Sequence, residues 1–508
     1  MEYSTWIGGN DGESGTFIDV DPSGYIYLAG TTSSTDFPTT DGAFCEESNG
    51  LTDVFVTKLS PDGRTIVFST LLGGSGSDTC DAMVVDGSGC AYVVGHTYSD
   101  DLPTTPGAYC RRFSGGDTDV FLAKFTSSGS MLEYSTFLGG GDRDYASDIF
   151  VDDSGNAYVV GDTHSEMFPT TDGAYCRTKE QYIDCYVTNV GPGGDILVYS
   201  TYIGGKSHDN GEAIWVGDDG SAYIVGSTRS DDFPTTKDAF DSEQEGDRDG
   251  FVTRLAPDGA DLEYSSFIGG DWNDFVNDIV LDDTGAIYLA GRTNSDDFPT
   301  TDGAYYPDPD RAVSGAGDVG FVTKMTPNGT SLVFSTYVQS VAGYRDTYPT
   351  VLNVDGAGDV LLGGYTASSV LPTTSEAYDI FYNGEGDIFV MWLASNGSRI
   401  HFSSYLGGQE GESLTGMHLT SLGDMLLAGS TSSLDFPTTS DALDGRMGGN
   451  ADSFLARLRM VRTSGMPPLP PQNLTAEYTG IKIEVRWDPP PRTRGTSGDR
   501  LSRLQGPT

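Results

Sequence analysis

Short apolar runs alternate along the chain with turns rich in Asp, Gly and Ser. In Asp148–Gly161, DIFVDDSGNAYVVG, runs of β-branched and aromatic residues flank the turn DDSG. Such a turn between two runs predicts a β-hairpin, because Gly supplies the positive φ that the turn needs. A second hairpin is predicted from Asp184–Val190, the turn GPGG and Ile196–Gly205.

The two hairpins belong to a unit that recurs every 65 to 70 residues. A heptad such as YSTFLGG marks each copy. The seven copies begin at Tyr3, Phe68, Tyr134, Tyr199, Tyr264, Phe334 and Phe402. Each unit holds four predicted strands, a to d, with a long loop between b and c, and no unit shows a useful helical period. Four-stranded units repeated around an axis predict a β-propeller, because one blade alone cannot bury both of its faces.

The ends of the repeat predict how the ring closes. Tyr3–Gly9 matches a d strand with no a, b or c strand before it, and Asp452–Met460 matches a c strand with no d strand after it. The first strand therefore completes the last blade, which removes an exposed sheet edge. We predict an all-β fold: a seven-bladed β-propeller of four-stranded blades over residues 1–461, closed by the N-terminal strand.

Four motifs in the unit resemble the SBBP family, the seven-bladed β-propeller repeats of bacterial and archaeal surface proteins. They are VDDSGNAYVVG (Val151–Gly161), FPTTDGAY (Phe168–Tyr175), DVFVTKL (Asp53–Leu59) and YSTYIGG (Tyr199–Gly205). The resemblance covers nearly all of residues 2–460 and implies an extracellular or cell-surface location. The sixth repeat departs most, since Gln339-Ser340 replace Gly-Gly and Leu371 replaces Phe.

Residues 462–508 differ from the repeat. Pro467–Pro491 resembles the first two strands of a fibronectin type III domain, with Trp487 as its core tryptophan. A complete domain of this kind needs about 100 residues. Arg492–Thr508 has no strand pattern. We therefore expect a linker, an incomplete fibronectin type III-like segment and a disordered tail. A truncation is favoured over a segment that a partner completes. The chain is expected to be part of a larger modular protein.

The net charge of the chain makes some classes of binding partner improbable. The 508 residues carry a formal net charge of −46. No basic stripe is present, so nucleic acid is not expected as a partner. No apolar run approaches the ~20 residues that span a bilayer, and no signal peptide precedes Tyr3. Plain solubility, adaptation to high salt and cation binding remain as explanations of the acidity.

The positions of the six cysteines allow few disulfide bonds. Cys45, Cys110 and Cys176 occupy one slot in three successive repeats, which places them too far apart to pair. Cys176 and Cys185 flank one loop, so a bridge between them is left open.

An acidic residue recurs eight positions before each a–b turn. The set is Glu13, Asp78, Asp144, Asp209, Asp274 and Glu412, with Asp346 one residue out of place in unit six. One interpretation is a ring of Ca²⁺ ligands near the channel mouth, which makes calcium the one cofactor under consideration. The other is that each carboxylate caps backbone N–H groups of its own loop. The second is favoured, because a feature of every blade is usually architectural and no D-x-D-x-D-G loop is present.

A second Asp precedes every c strand, and we interpret it as a hydrogen-bond acceptor that braces the loop. The set is Asp53, Asp119, Asp184, Asp249, Asp318, Asp387 and Asp452. The Phe of the Phe-Pro-Thr-Thr motif is expected to plug its blade, at Phe37, Phe168, Phe233, Phe298 and Phe436.

Strand b ends in the frame G-x-T-x-S, in which the Gly, Thr and Ser recur. The side chains at the two x positions differ from unit to unit. The resulting ligand candidates are His96, Tyr98, Asp162, His164, Arg229, Arg292 and Tyr365. Trp272, in a d–a loop, joins them because an exposed Trp stacks on sugars or anchors protein contacts. The alternatives are ordinary loop variation and, for Trp272, packing on the neighbouring blade.

Nothing in the sequence favours catalysis. The five histidines lie in different units, and no G-x-S-x-G elbow has a suitable context. We therefore favour a non-enzymatic cell-surface or extracellular scaffold that binds glycan or protein, as in adhesion. A polysaccharide hydrolase or lyase and a purely structural envelope spacer are the alternatives.

Overall fold

The computed structural model describes residues 1–308, 318–339 and 346–459, and the backbone of two further strands. Every regular element in these residues is a β-strand. No helix that could cross a membrane occurs in the part of the chain described.

The strands fall into seven sets. Strand β1 spans Tyr3–Ile7. Blade 1 consists of β2 (Glu13–Val20), β3 (Ile26–Thr32), β4 (Asp53–Leu59) and β5 (Ile66–Leu72). Blade 2 consists of β6 (Asp78–Val85), β7 (Ala91–Thr97), β8 (Asp119–Phe125) and β9 (Leu132–Leu138). Blade 3 consists of β10 (Asp144–Val151), β11 (Ala157–Thr163), β12 (Asp184–Val190) and β13 (Leu197–Ile203). Blade 4 consists of β14 (Asp209–Val216), β15 (Ala222–Thr228), β16 (Asp249–Leu255) and β17 (Leu262–Ile268).

The remaining blades follow the same order. Blade 5 consists of β18 (Asp274–Leu281), β19 (Ile287–Thr293), β20 (Val319–Met325) and β21 (Leu332–Val338). Blade 6 consists of β22 (Thr347–Val354), β23 (Val360–Thr366), β24 (Asp387–Leu393) and β25 (Ile400–Leu406). Blade 7 takes β26 (Glu412–Leu419), β27 (Met425–Thr431) and β28 (Asp452–Leu458) from the C-terminal side. Strands pair antiparallel in the order a, b, c, d within each blade.

Strand β1 supplies the d strand of blade 7. It pairs antiparallel with β28 from Tyr3↔Arg457 to Ile7↔Ser453. The a strands of neighbouring blades contact one another around the ring, and β2 of blade 1 contacts β26 of blade 7. The predicted seven-bladed propeller and its closure by the N-terminal strand are confirmed.

Among the described residues, parallel bridges between the starts of strands c and a join neighbouring blades at six of the seven boundaries. Examples are Thr52↔Ser77 and Gly386↔Gly411. Between blades 2 and 3, the Asp144 N–H donates to the Thr118 carbonyl at 3.1 Å. Between blades 5 and 6 the bridge Val319↔Thr347 merges the two blades into one eight-stranded sheet. Hydrogen bonds therefore connect the inner part of the ring from blade to blade.

The heptad recurs because its aromatic residue packs against the next blade. The hydroxyl of Tyr3 donates to the carbonyl of Gly63 at 2.7 Å, and Tyr264 donates to Gly329 at 2.6 Å. Gly194, in the equivalent turn, has φ +67°, and a Cβ there would lie 2.3 Å from the Tyr134 ring. The turn therefore needs glycine for both its backbone conformation and its space.

The Phe of the Phe-Pro-Thr-Thr motif plugs its blade as predicted. Phe298 stacks on Phe321 with ring centroids 4.2 Å apart, and Phe37 stacks on Phe55 at 4.6 Å. Leu371 is buried at the corresponding place in blade 6.

The bridge left open between Cys176 and Cys185 does not form, and all six cysteines are free thiols. Cys185 is fully buried in β12, whereas Cys176 lies in the loop before it.

In the C-terminal segment, β29 (Gln472–Tyr478) and β30 (Ile483–Asp488) pair antiparallel. Two strands were predicted here. The expected disordered tail, Arg492–Thr508, and the Trp487 side chain lie outside the described residues.

Candidate binding face

The d–a and b–c loops lie together on one face of the ring, named here the loop face. Backbone N–H groups of d–a loops donate to side chains of the following b–c loop. Ser75 donates to Asp101 at 2.7 Å, and Asp271 donates to Asp297 at 3.0 Å. The short a–b and c–d turns form the opposite turn face.

The acids that begin the a strands are buried and accept hydrogen bonds from their own blade. Asp144 accepts the Gly140 N–H at 2.7 Å, the Ser165 hydroxyl at 3.0 Å and the Thr163 hydroxyl. Equivalent donors surround the other members of the set, Glu13, Asp78, Asp209, Asp274 and Glu412. At most 4% of any of these side chains is exposed, so none is open at the channel mouth, where they were expected. The geometry is that of the loop-capping interpretation, and calcium binding by the ring stays a prediction.

In six of the seven blades the Asp before the c strand braces its b–c loop, which confirms the interpretation from sequence for those blades. Asp53 accepts the Asn49 N–H at 2.8 Å, and Asp387 accepts the Asn383 N–H at 2.9 Å. The same contact is made by Asp119, Asp184, Asp249 and Asp452.

The two sets of acids converge at the blade boundaries. A Cβ on Gly73 would lie 1.8 Å from Asp53 Oδ1 and 2.9 Å from Asp78 Oδ2. Asp53 Oδ1 is buried without a hydrogen-bond partner among the described residues, as are the Oδ1 atoms of Asp119, Asp184 and Asp387. Burial raises the pKa of Asp119 to about 7, and the facing Asp144 contributes to the rise. Burial also raises the pKa of Asp387 to about 7.

The boundary between blades 5 and 6 is built differently. Thr347 takes the place of the a-strand acid and bonds the Thr366 hydroxyl at 2.8 Å. Its neighbour Asp318 pairs with Arg292 at 2.5 Å and accepts from Asn294 at 2.6 Å. A guanidinium therefore replaces the facing carboxyl group at this boundary.

Three ligand candidates, His96, Tyr98 and His164, meet around Tyr145 in blades 2 and 3. These four residues are named here the histidine cluster. The ring of Tyr145 lies 5.1 Å from His96 and 6.4 Å from His164. His96 Nδ1 is 2.8 Å from Asp81 Oδ2, which fixes the ring, while Tyr98 is 50% exposed. Burial lowers the pKa of His164, so its imidazole is neutral at neutral pH.

Asp162 lies directly opposite Tyr145 in the pairing of β10 with β11. Burial raises the pKa of Asp162 to about 7, and Glu212 contributes to the rise. The nearby Asn210 side chain opposes part of this rise in pKa. Asp162 thus lies next to the histidine cluster, on the strand that pairs with the one carrying Tyr145.

Three arginines meet in blades 4 and 5, in a group named here the arginine group: Arg229, Arg248 and Arg292. The guanidinium of Arg292 lies 4.1 Å from the centre of the Phe275 ring, and that of Arg248 lies 5.2 Å from it. Burial lowers the pKa of Arg248, and Arg229 lowers it further. Arg229 is exposed.

Two further candidates flank the arginine group. Trp272 is 60% exposed, and the residue after it, Asn273, bridges to Arg248. On the other side, the Tyr365 ring lies 5.7 Å from that of Tyr348, which in turn lies 5.7 Å from the Arg292 guanidinium.

Open clefts and one acidic cluster also lie on this face. A cleft of about 520 Å³ is lined by His164, Met167, Lys179, Tyr182 and His208, and Tyr182 stacks on His208 at 5.2 Å. A second, of about 830 Å³, lies between the loops of blades 6 and 7. Within the described residues, Glu245, Asp271 and Asp297 form the one group of three potential metal ligands, and all three are exposed.

Sequence reasoning missed the side chains that face the variable positions. These side chains belong to the second residue of the a strand in three blades. On the paired b strands, Tyr145 lies opposite Asp162, Phe275 opposite Arg292 and Tyr348 opposite Tyr365. The residue at this a-strand position differs between blades, from Ser14 in blade 1 to Tyr348 in blade 6, and this difference could have revealed the position from sequence. Arg248 was missed because it precedes a c strand, outside the frame G-x-T-x-S.

The fold and the contents of this face define a closed β-propeller with an asymmetric loop face. Comparison with protein families matches the SBBP beta-propeller repeat at residues 67–103, 133–169 and 263–299. Each match runs from a d strand through the a and b strands of the next blade. These three segments therefore match the SBBP repeat, in agreement with the resemblance of the motifs. Nothing in the comparisons supports the fibronectin type III-like interpretation of residues 462–508, which stays a prediction.

Similar solved structures share little sequence with this chain. A protein of unknown function from Dyadobacter fermentans is 12% identical, with TM-score 0.42, over 90% of this chain and 98% of its own. The endosialidase of phage phi92 is 11% identical, with TM-score 0.40, over 99% and 76%. A quinohemoprotein alcohol dehydrogenase from Comamonas testosteroni is 10% identical, with TM-score 0.39, over 92% and 78%. A search of curated proteins found no match. Similarities this low carry no inference about function.

Proposed function

We propose that this protein is a non-enzymatic binding scaffold that takes up a glycan, or a glycan-like protein surface, on its loop face. The observation that carries the proposal is the asymmetry of this face. At the facing positions of strands a and b, an aromatic residue lies opposite Asp162 in blade 3, Arg292 in blade 5 and Tyr365 in blade 6. In blades 1 and 7 the same positions hold only small polar residues, Ser14 with Thr31 and Ser413 with Ser430.

The exposed aromatics suit a carbohydrate. Trp272 and Tyr98 are at least half exposed, and each offers a flat apolar ring beside polar groups. Such side chains stack on sugar rings while neighbouring groups bond the hydroxyls. The histidine cluster supplies imidazoles that donate and accept hydrogen bonds.

The frame that presents these side chains is rigid. The Thr and Ser of G-x-T-x-S bond the buried acid of the a strand in successive blades, as Thr228 and Ser230 bond Asp209. Binding therefore requires little ordering of the scaffold, which favours affinity. The same rigidity suits display at a cell surface or outside the cell, the location that we propose together with the function.

The test is a polysaccharide panel with neutral, uronate-bearing and sulfated members, and with a set of surface proteins as a second arm. We expect wild-type protein to bind at least one member. Tyr98→Ala and Trp272→Ala should each weaken that binding about tenfold, because truncating an exposed aromatic anchor typically costs this much. Met131→Ala is the matched control, since Met131 is 61% exposed in a c–d turn of the turn face.

Other outcomes separate the alternatives. Release of reducing ends or unsaturated sugars from the bound polysaccharide would identify a hydrolase or lyase and contradict the proposal. Absence of binding to every polysaccharide and every protein tested would contradict the proposal and favour a purely structural envelope spacer.

A further inference from the structure

The arginine group is unusual in so acidic a chain. Acidic residues number 74 against 28 Lys and Arg, yet three arginines meet on the loop face of two neighbouring blades. Arginine keeps its charge under all ordinary conditions. Three like charges repel one another, so this arrangement lowers stability unless an anion compensates it.

The described residues compensate only part of that charge. Arg292 pairs with Asp318 at 2.5 Å. Arg248 donates to the Ser227 hydroxyl at 3.3 Å, and its buried Nε–H has no acceptor among the described residues. Arg229 makes no side-chain hydrogen bond or ion pair with the residues described. Glu212 is close enough for Arg292 and Arg248 to influence its pKa, but forms an ion pair with neither of them within the described chain.

Aromatic packing fixes the positions of two of the three guanidinium groups, those of Arg248 and Arg292. Phe275 lies under both Arg248 and Arg292, and Tyr348 lies beyond Arg292. Cation–π contacts hold the two planar groups in place before any ligand arrives. A fixed guanidinium with uncommitted N–H groups matches the two oxygens of a carboxylate or the oxygens of a sulfate.

We infer that the arginine group binds the oxyanion of an acidic polysaccharide, a carboxylate or sulfate carried on a sugar. The inference deepens the proposed function and rests on it. The oxyanion lies against Arg248 and Arg229, and the sugar chain extends toward Trp272, which adjoins Arg248 through Asn273. Long-range repulsion from the net charge of −46 slows the approach of such a ligand, so specificity comes from the local contacts.

The experiment compares polygalacturonate with neutral dextran by titration calorimetry on the full chain. We expect polygalacturonate to bind and dextran to bind at least about tenfold more weakly, because dextran lacks the charged acceptor. Arg229→Ala and Arg248→Ala should each weaken polygalacturonate binding by about tenfold or more. Arg248→Lys should recover only part of the loss, because an ammonium lacks the planar fork.

The matched control is Arg64→Ala, which changes the net charge equally from an exposed ion pair with Asp441. It should bind as wild type. Arg229 is exposed, so its variant remains informative if Arg248→Ala fails to fold. Unchanged polygalacturonate affinity in both variants would overturn the inference while leaving the proposed function intact. Failure of all polysaccharides and proteins would overturn both.

Two further arms identify the source of the oxyanion. Acetate and sulfate at millimolar concentration should compete weakly. If they abolish binding completely, a free small anion is the ligand and the polysaccharide assignment is wrong. Tighter, arginine-dependent binding of polyglutamate would likewise replace the polysaccharide with an acidic peptide.

Discussion

At the residue scale, the glycine that opens six of the seven d–a loops and the two acids around it form a closely packed unit. Gly73 leaves room for Asp53 from one blade and Asp78 from the next. Both acids brace loops on the loop face through backbone N–H groups. The shape of the binding face therefore depends on side chains that no ligand touches.

Gly73→Ala is expected to destabilise the fold by about 1–3 kcal/mol, because its Cβ would overlap Asp53 Oδ1. Denaturant unfolding measures the change. Gly87→Ala is the control, since a Cβ there meets no atom within 4 Å. Equal stability of the two variants would show that the carboxylates move aside freely.

The pH dependence of stability tests the buried carboxyl groups. Burial raises the folded-state pKa of Asp119 and Asp249 to about 7, well above the value of about 3.9 in an unfolded chain. The folded state then binds more protons than the unfolded state between these values, so stability falls as pH rises through about 7. We expect the free energy of unfolding to increase from pH about 8 to about 5.

Asp119→Asn imitates the protonated form and is the matched variant for this prediction. It should be more stable than wild type at pH about 8, with a shallower dependence on pH. An unchanged slope, or stability that falls steadily toward pH about 5, would contradict the proposed ionisation.

At the element scale, β1 joins the two ends of the ring. Tyr3 and Trp6 are almost fully buried, and Tyr3 contacts the c–d turn of blade 1 through Gly63. Without β1, the edge of β28 would be exposed and the core between blades 7 and 1 would open. Ring closure therefore depends on a strand of five residues.

Deletion of residues 1–9 is expected to lower the thermal midpoint by roughly 10 °C or more and to cause aggregation, because buried aromatics and a strand edge become exposed. A synthetic peptide of residues 1–9 should restore part of the loss. Truncation after residue 459 is the control and should leave the midpoint unchanged, since it removes no propeller strand. Equal midpoints for both deletions would refute the role of β1.

The sequence could predict the blades, but it could not predict which side chains meet on the loop face. Turn signals and a fixed period define every strand from Glu13 to Leu458, because each blade repeats the same local chemistry. The pairing of strands a and b is harder, since a β-bulge between Ala146 and Asp148 shifts the register. Tyr145 could not be matched with Asp162 without that register. Arg248 joins Arg292 only through packing between blades, which local patterns do not encode.

At the scale of the whole molecule, the chain carries a net charge of −46, and buried acids of the ring already have hydrogen-bond donors. Self-repulsion among surface acids then lowers stability, and any salt should relieve it. Specific uptake of calcium is a separate effect, because binding to the native state raises the midpoint beyond screening.

We expect NaCl and CaCl₂ at equal ionic strength to raise the thermal midpoint equally, measured against a sample in EDTA. A larger rise with CaCl₂ would instead establish a calcium site. Glu245→Gln would then test the exposed group of three acids, and Asp144→Asn the buried ring.

The central claim is that ligand binding takes place on the loop face of the propeller. Hydrogen–deuterium exchange, with and without the polysaccharide that binds most tightly in the panel, tests it most directly. We predict protection in peptides that cover the b-strand ends and d–a loops of blades 2 to 6, such as residues 92–99 and 270–276. The c–d turns, such as residues 126–131, should show no change. Protection confined to the turn face, or binding with no protection on the loop face, would contradict the account.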